Sequence, residues 1–271
     1  MVNRRFIDLA QRLRGSQIPE VREVRDGRKP GAQRFTASFL EGDFGGEVLA
    51  KYNELVQQKY GDNPMLKKFT RHDGIVKGSN PYSFVAMNEV LSKYGGRLAH
   101  PAEIDFIIQE GMLPLRGQYE DMALVLRSVA EPNLYLAQRL SQQLGENGIT
   151  FSNENPTMIP LRSLDLVVDT RAPQKLAFTI KDPSAVVAAP KLAHSNNGRK
   201  FFYSDNNGLP IFDENGDKTL YTENDGLRVL FRYWGLYLVA RYADLTDDVA
   251  DGRVVYIPGE ATERKNFGGA P

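Results

Sequence analysis

The 271-residue sequence contains no cysteine, which excludes a disulfide scaffold, a thiolate metal site and a cysteine nucleophile. Net charge is also missing, because 34 basic side chains face 34 acidic ones. Recognition of phosphate backbones relies on an uncompensated basic face, so this balance argues against a dedicated nucleic-acid binder. Long hydrophobic runs are absent. The most apolar stretch, Ala185 to Ala189, is flanked by Pro183 and Pro190. It falls far short of the roughly 20 residues of a membrane-spanning helix. Met1 to Leu13 alternates charged and apolar residues and has no signal-peptide core, so the expectation is a soluble protein, cytoplasmic by default.

Chemical signatures are equally sparse. The three histidines, His72, His100 and His194, lie far apart, and none is spaced from a second ligand-type residue as zinc or non-haem iron sites require. A structural or exposed role is expected for each. There is no G-x-S-x-G elbow, no P-loop and no dinucleotide fingerprint after a strand. No cofactor is expected. Repeats of fixed period and low-complexity tracts are also lacking.

What is present is the composition of a globular chain, 41% hydrophobic and 25% charged. Phe6, Leu9, Ala10 and Leu13 are spaced as a short amphipathic helix, and residues 25–34 form a polar turn region. A second helix is predicted over Gly46–Tyr60, stopped by Gly61-Asp62-Asn63-Pro64. A third starts at Ser79 or Asn80 with Pro81 in its first turn and closes at Gly95-Gly96; a fourth runs from Pro101 to before Gly111. Helices five and six are predicted at Tyr119–Ala130 and Asn133–Leu144. Beyond Asn147-Gly148 the pattern alternates. Strands are expected at Leu164–Val168, Leu176–Ile180, Val186–Ala188, Lys200–Tyr203, Ile211-Phe212 and Thr219–Tyr221, with a hairpin-type turn at Asp213–Asp217. Helices in the N-terminal half followed by short antiparallel strands give the class α+β.

Two motifs resemble calcium chemistry. Asp213-Glu214-Asn215-Gly216-Asp217 begins like a calcium loop, but Lys218 stands at position six, where glycine is needed, and Asn224 at position twelve. Glu131-Pro132-Asn133 matches the sugar-binding tripeptide of calcium-dependent lectins, yet it falls at a helix junction and no Trp-Asn-Asp partner follows. Neither is expected to bind metal.

Residues 226–250 follow no single period. Leucines recur at 227, 230, 236, 238 and 245, with aromatic and arginine residues between them. With the leucines inward, Phe231, Tyr233, Trp234, Tyr237 and Tyr242 would point largely outward, as a patch with the composition of binding hot spots. The plainer reading is a buried helix or strand pair with its aromatics in the core.

The segment Gly226-Leu227-x-x-Leu230, Leu236-x-Leu238 and Leu245, closed by Asp251-Gly252-Arg253-Val254-Val255, resembles the variable region of archaeal target proteins of diversity-generating retroelements. Asn80-Pro81, Gly95-Gly96-Arg97-Leu98-Ala99, Pro101-Ala102-Glu103 and the block Leu115–Ser128 resemble the constant part of the same proteins. The Gly-Gly-Arg-Leu run is also similar to a motif of C-type lectin domains of the formylglycine-generating-enzyme type. The resemblance implies a C-type lectin-like domain over residues 75–271, after an N-terminal region 1–74 of unknown role. It implies non-enzymatic ligand binding by retroelement-diversified residues, held on leucine positions. By position these are Arg228, Val229, Phe231, Arg232, Tyr233, Trp234, Gly235, Tyr237, Val239, Ala240, Arg241, Tyr242, Asp244, Thr246, Asp247, Asp248 and Val249. The partner would be a protein or a cell-surface or viral ligand. The enzymes of that fold need active-site cysteines or a histidine cluster, which this chain lacks, so no activity is carried over.

Two alternatives stand beside this reading. One is a hydrolase-like enzyme with a cleft lined by Glu103, Asp105, Glu120 and Asp121. Against it, such carboxylates are usually solvated or paired, here with Arg97, Arg116 or Arg127. The other is a structural or virion component that assembles through residues 226–250.

Overall fold

A computed structural model describes residues 35–259 except 116, 117 and 235. The expected helix at Phe6–Leu13 and the turn region 25–34 lie outside the described residues. The elements are β1 (Ser38–Phe39), α1 (Gly42–Tyr60), β2 (Thr70–His72), β3 (Ile75–Lys77), α2 (Pro81–Lys93), β4 (Arg97–Leu98) and α3 (Pro101–Gln109). There follow β5 (Tyr119–Leu126), α4 (Leu134–Glu146), β6 (Thr157–Pro160), β7 (Leu164–Val168), β8 (Leu176–Ile180) and β9 (Val187–Ala188). The chain continues through β10 (Lys200–Ser204), β11 (Pro210–Phe212), β12 (Lys218–Thr222), β13 (Leu227–Tyr233), β14 (Tyr237–Tyr242) and β15 (Val255–Ile257). The class is α+β. Among the described residues no helix is long and apolar enough to cross a membrane.

Side chains cap the starts of α2 and α3. At α2 the Asn80 carboxamide oxygen accepts the N–H groups of Tyr82 and Ser83, and Pro81 occupies the first turn. At α3 His100 Nδ1 accepts from the Ala102 N–H at 3.2 Å, while Glu103 reaches back to the His100 N–H at 2.6 Å. This reciprocal pair satisfies two amides that the helix leaves free. Burial, then the charge of Arg162, holds His100 down at about 4, so its ring stays neutral and serves as a cap. The helix α4 buries Leu136, Ala137, Leu140 and Leu144 along one face.

The expected helix over Tyr119–Ala130 is instead β5, the strand between β13 and β6, buried along its whole length. Both of its faces are covered, so apolar residues occupy consecutive positions and no alternation marks it as a strand. Its Glu, Met, Ala and Leu content favours helix, and tertiary pairing overrides that preference. The large sheet runs β11-β10-β12-β14-β13-β5-β6-β9, with β12 and β14 parallel. Strands β1, β15 and β4 form a small sheet of their own, and β2–β3 and β7–β8 form two-stranded ones.

Asp213–Asp217 is not a hairpin turn. Strands β11 and β12 flank β10, so the link passes over the start of β10. A Cβ on Gly216 would lie 2.3 Å from the Phe201 backbone nitrogen, which is why glycine stands there. Lys218 begins β12 and turns its amine into the interior.

The compact unit begins at Phe35, and Ala37 and Phe39 share one core with Leu220, Leu230 and Leu238. The division expected after residue 74 falls within this continuous core. Of the five scaffold leucines, Leu227, Leu230, Leu238 and Leu245 are buried, while Leu236 is half-buried in the turn between β13 and β14. Leu230→Ala or Leu238→Ala should each cost about 2–5 kcal/mol. Leu236→Ala should cost clearly less, as denaturant midpoints of the three variants will show.

Candidate functional site

Strands β13 and β14 form a hairpin inside the large sheet, with Phe231 opposite Val239, Arg232 opposite Leu238 and Tyr233 opposite Tyr237. On its other side β13 sets Phe231 opposite Asp121, Arg232 opposite Glu120 and Tyr233 opposite Tyr119. Bulges near Val229–Phe231 interrupt strict alternation. At the tip Trp234 adopts φ 56°, a left-handed conformation uncommon for a bulky residue. Its N–H donates to the Gln118 carbonyl at 3.0 Å.

The hairpin divides the expected display set. Val229, Phe231, Arg232, Val239 and Ala240 are buried, which corrects their placement on an exposed surface. The cause is a sheet covered on both faces at this point. Phe231 stacks on Tyr119, ring centroids 4.5 Å apart, on one face, whereas Arg232 enters the opposite face. Arg228, Tyr233, Trp234, Tyr237, Arg241, Tyr242, Thr246, Asp247 and Val249 are half-exposed, and Asp244 and Asp248 are exposed. Gly235 lies outside the described residues.

The half-exposed rings gather on the Phe231 face. Tyr233 stacks on Trp234 at 5.1 Å and meets Tyr119 at 6.5 Å, while Tyr242 lies 5.4 Å from Phe231. Tyr237 packs against Tyr221 at 5.8 Å, and the Arg241 guanidinium sits 4.9 Å from the Tyr221 ring. Tyr221, on the parallel neighbour β12, lies outside residues 226–250 and was not among the expected site residues. Its signal was the alternation Thr219-Leu220-Tyr221, which turns Leu220 into the core and Tyr221 the other way.

The opposite face is ionic. Asp105, on α3, accepts hydrogen bonds from Lys218 Nζ at 3.0 Å, the Ser204 N–H at 2.8 Å, Gln109 Nε2 at 2.8 Å and Arg232 Nη2. Burial by itself would raise the pKa of this carboxyl. The charges of Arg232 and Lys218 outweigh it and hold the carboxyl below its usual range. Lys218 is lowered, first by burial and then by Arg232.

The four carboxylates of the enzyme alternative do not share one environment. Glu103 makes a bidentate pair with Arg97 at 2.6 Å for both bonds. Asp121 accepts from the Ser79 hydroxyl and from the Tyr119 hydroxyl at 3.0 Å. Glu120 is buried, and neither of its carboxyl oxygens has a hydrogen-bond partner. It lines a small cavity with Phe84, Leu98, Ile104, Arg162 and Arg253. Burial lifts Glu120 to about 8 against the charges of Arg232 and Arg253, and lifts Asp121 to about 7.

The Glu131-Pro132-Asn133 motif is also put to structural use. The Asn133 amide donates to the carbonyls of Leu227 at 2.8 Å and Ala243 at 2.6 Å, joining the start of β13 to the residue after β14. No family model, curated protein or solved structure matches the chain.

Removing the acceptor at the ionic face leaves two buried cations uncompensated, so Asp105→Ala should cost about 3–5 kcal/mol in chemical unfolding. Glu120 and Asp121 predict a pH dependence of the opposite sense to that of Asp105 and Glu103. The folded chain holds their protons where the unfolded chain releases them. Their contribution therefore shrinks as pH rises from the unfolded carboxyl range to about 8. Asp105 and Glu103, whose pKa values are lowered, lose their contribution as pH falls through the acid range. Unfolding free energies should peak on the acid side of neutrality, and Glu120→Gln should flatten the decline towards pH 8.

Proposed function

We propose that this chain is a non-enzymatic ligand-binding protein, with a recognition surface on the aromatic face of the β13–β14 hairpin. The observation that carries the reading is one strip of half-exposed rings, Tyr221, Tyr237, Tyr233, Trp234 and Tyr242, with Arg241 among them. Tyrosine and tryptophan offer large contact area at low entropic cost, and together with arginine they dominate binding hot spots. The left-handed Trp234 supports it, since a bulky residue in a disfavoured conformation at a strand tip is a local cost to the fold. Buried leucines at 227, 230 and 238 hold the strip from behind, in the division of labour that the retroelement resemblance implies. In this reading the scaffold is C-type lectin-like, binding needs no cofactor, and the ligand is a protein or a cell-surface or viral structure.

In this reading variation falls on the positions that reach the surface. The DNA beside the gene should contain a reverse transcriptase and a near-copy of the codons for residues 226–250. Differences between the copies should lie at adenines and collect in the codons of Tyr233, Trp234, Tyr237, Arg241, Tyr242 and Asp244. Codons for Phe231 and Arg232, whose side chains are about 1% exposed, should be unchanged. Sequencing the flanking DNA decides this. Absence of the copy, or differences collected at the buried codons, would overturn the retroelement reading.

A further inference from the structure

Residues 243–254 run from the end of β14 to β15 as a strap against the sheet. Asn80 Nδ2 donates to the carbonyls of Leu245 at 3.1 Å and Asp247 at 3.2 Å. The Val249 N–H donates to the Ser79 carbonyl at 3.2 Å, the Gly78 N–H to the Gly252 carbonyl at 3.0 Å and the Arg253 N–H to the Tyr119 carbonyl at 3.1 Å. The approach is close, because a Cβ on Gly252 would lie 2.3 Å from the Cβ of Ser79.

Ser79 and Tyr119 thus hold the strap through their main-chain carbonyls, and the same two residues hold Asp121 through their hydroxyls. Asp121 belongs to the sheet and Asp247 to the strap. Each is disfavoured as an anion by burial, and the charge on Asp247 acts further against ionisation of Asp121. One carboxylate oxygen of Asp247 is buried without a hydrogen-bond partner.

We propose that the strap is a proton-operated latch, closed while Asp121 or Asp247 carries a proton and loosened when both are anions. The Ser79 and Tyr119 hydroxyls favour the Asp121 anion and Lys68 favours that of Asp247, and burial with the neighbouring carboxylates outweighs them. Asp121 accepts from the Ser79 and Tyr119 hydroxyls and feels the charge of Asp247; Glu120 is its neighbour along β5, and Arg162 and the strap's Arg253 line the same cavity. Asp247 lies near Asp244, Asp248 and the Tyr242 hydroxyl; the cation facing it is Lys68, which pairs with Asp248 at 3.3 Å. Asp121 titrates at about 7 and Asp247 above its ordinary value, so the closed strap holds protons that an open one releases, and rising pH favours opening. The consequence for recognition rests on the binding reading above, because Tyr242 and Asp244 join the strap to the aromatic face.

Amide hydrogen exchange of the full chain, without ligand, tests the latch from about pH 5.5 to about pH 8.5. After correction for base catalysis, protection of the Val249, Gly78 and Arg253 amides should fall by at least about tenfold, while amides of the β7–β8 pair keep theirs. Asp121→Asn and Asp247→Asn should each flatten the fall; the half-exposed Asp247 position keeps the test open if Asp121→Asn does not fold. Strap protection that tracks β7–β8 at every pH, or a fall unchanged in Asp247→Asn, would overturn the latch. With no ligand in the experiment, its failure and that of the binding reading are separable.

Discussion

The arrangement depends on one buried carboxylate. Asp105 sits on a short helix, and its oxygens accept from three separate strands: β10 through the Ser204 amide, β12 through Lys218 and β13 through Arg232. Those strands approach it from one side of the sheet, so a single side chain fixes where α3 lies and which face of each strand looks inward. Lys218 also donates to the Phe202 carbonyl at 2.7 Å, and Arg232 to the Ser204 hydroxyl at 3.3 Å, so the donors are themselves held in place. Buried ion pairs of this kind contribute little net stability over an apolar core, but breaking one is costly. Here the geometry gives the cluster a second role, in register. A slip of one residue in β13 would drive Tyr233 or Phe231 into the carboxylate and send Arg232 to the other face.

The aromatic face follows from that constraint. With Arg232 fixed inward, alternation places Phe231 and Tyr233 on the opposite face, where Tyr119 from β5 stacks on one and meets the other. The parallel pairing of β12 with β14 brings Tyr221 beside Tyr237 and beneath Arg241. Recognition chemistry on one face and charge neutralisation on the other are two consequences of the same pleat.

Acidic groups in this chain fall into two kinds according to what surrounds them. Asp105 and Glu103 are buried beside guanidinium or ammonium groups and stay ionised. Glu120 and Asp121, consecutive on β5, are buried without a salt-bridge partner and hold their protons into the neutral range. Composition does not separate the two kinds. Only the tertiary structure does so: it brings cations into direct contact with Asp105 and Glu103, whereas the arginines near Glu120 make no bond to it.

Much of the local structure was legible in the sequence. Asn80-Pro81 and His100-Pro101 start α2 and α3, Gly61 ends α1, and alternation marks β7, β8 and β12, because caps and periodicity are properties of neighbouring residues. The leucine positions of residues 226–250 were marked by their recurrence and by the resemblance, not by a period. The sequence by itself determined these helices and the strands β7 to β12. Tertiary structure alone decided that Tyr119–Leu126 is a doubly covered strand, that Phe231 and Arg232 are interior, and that Tyr221 joins the aromatic strip. Each of those outcomes depends on partners far away along the chain: Arg232 meets Asp105 across 127 positions, and Tyr221 meets Tyr237 through a parallel pairing that no turn between them specifies. A side chain's period gives the face it shares with its neighbours, but what covers that face is fixed only when the sheet assembles.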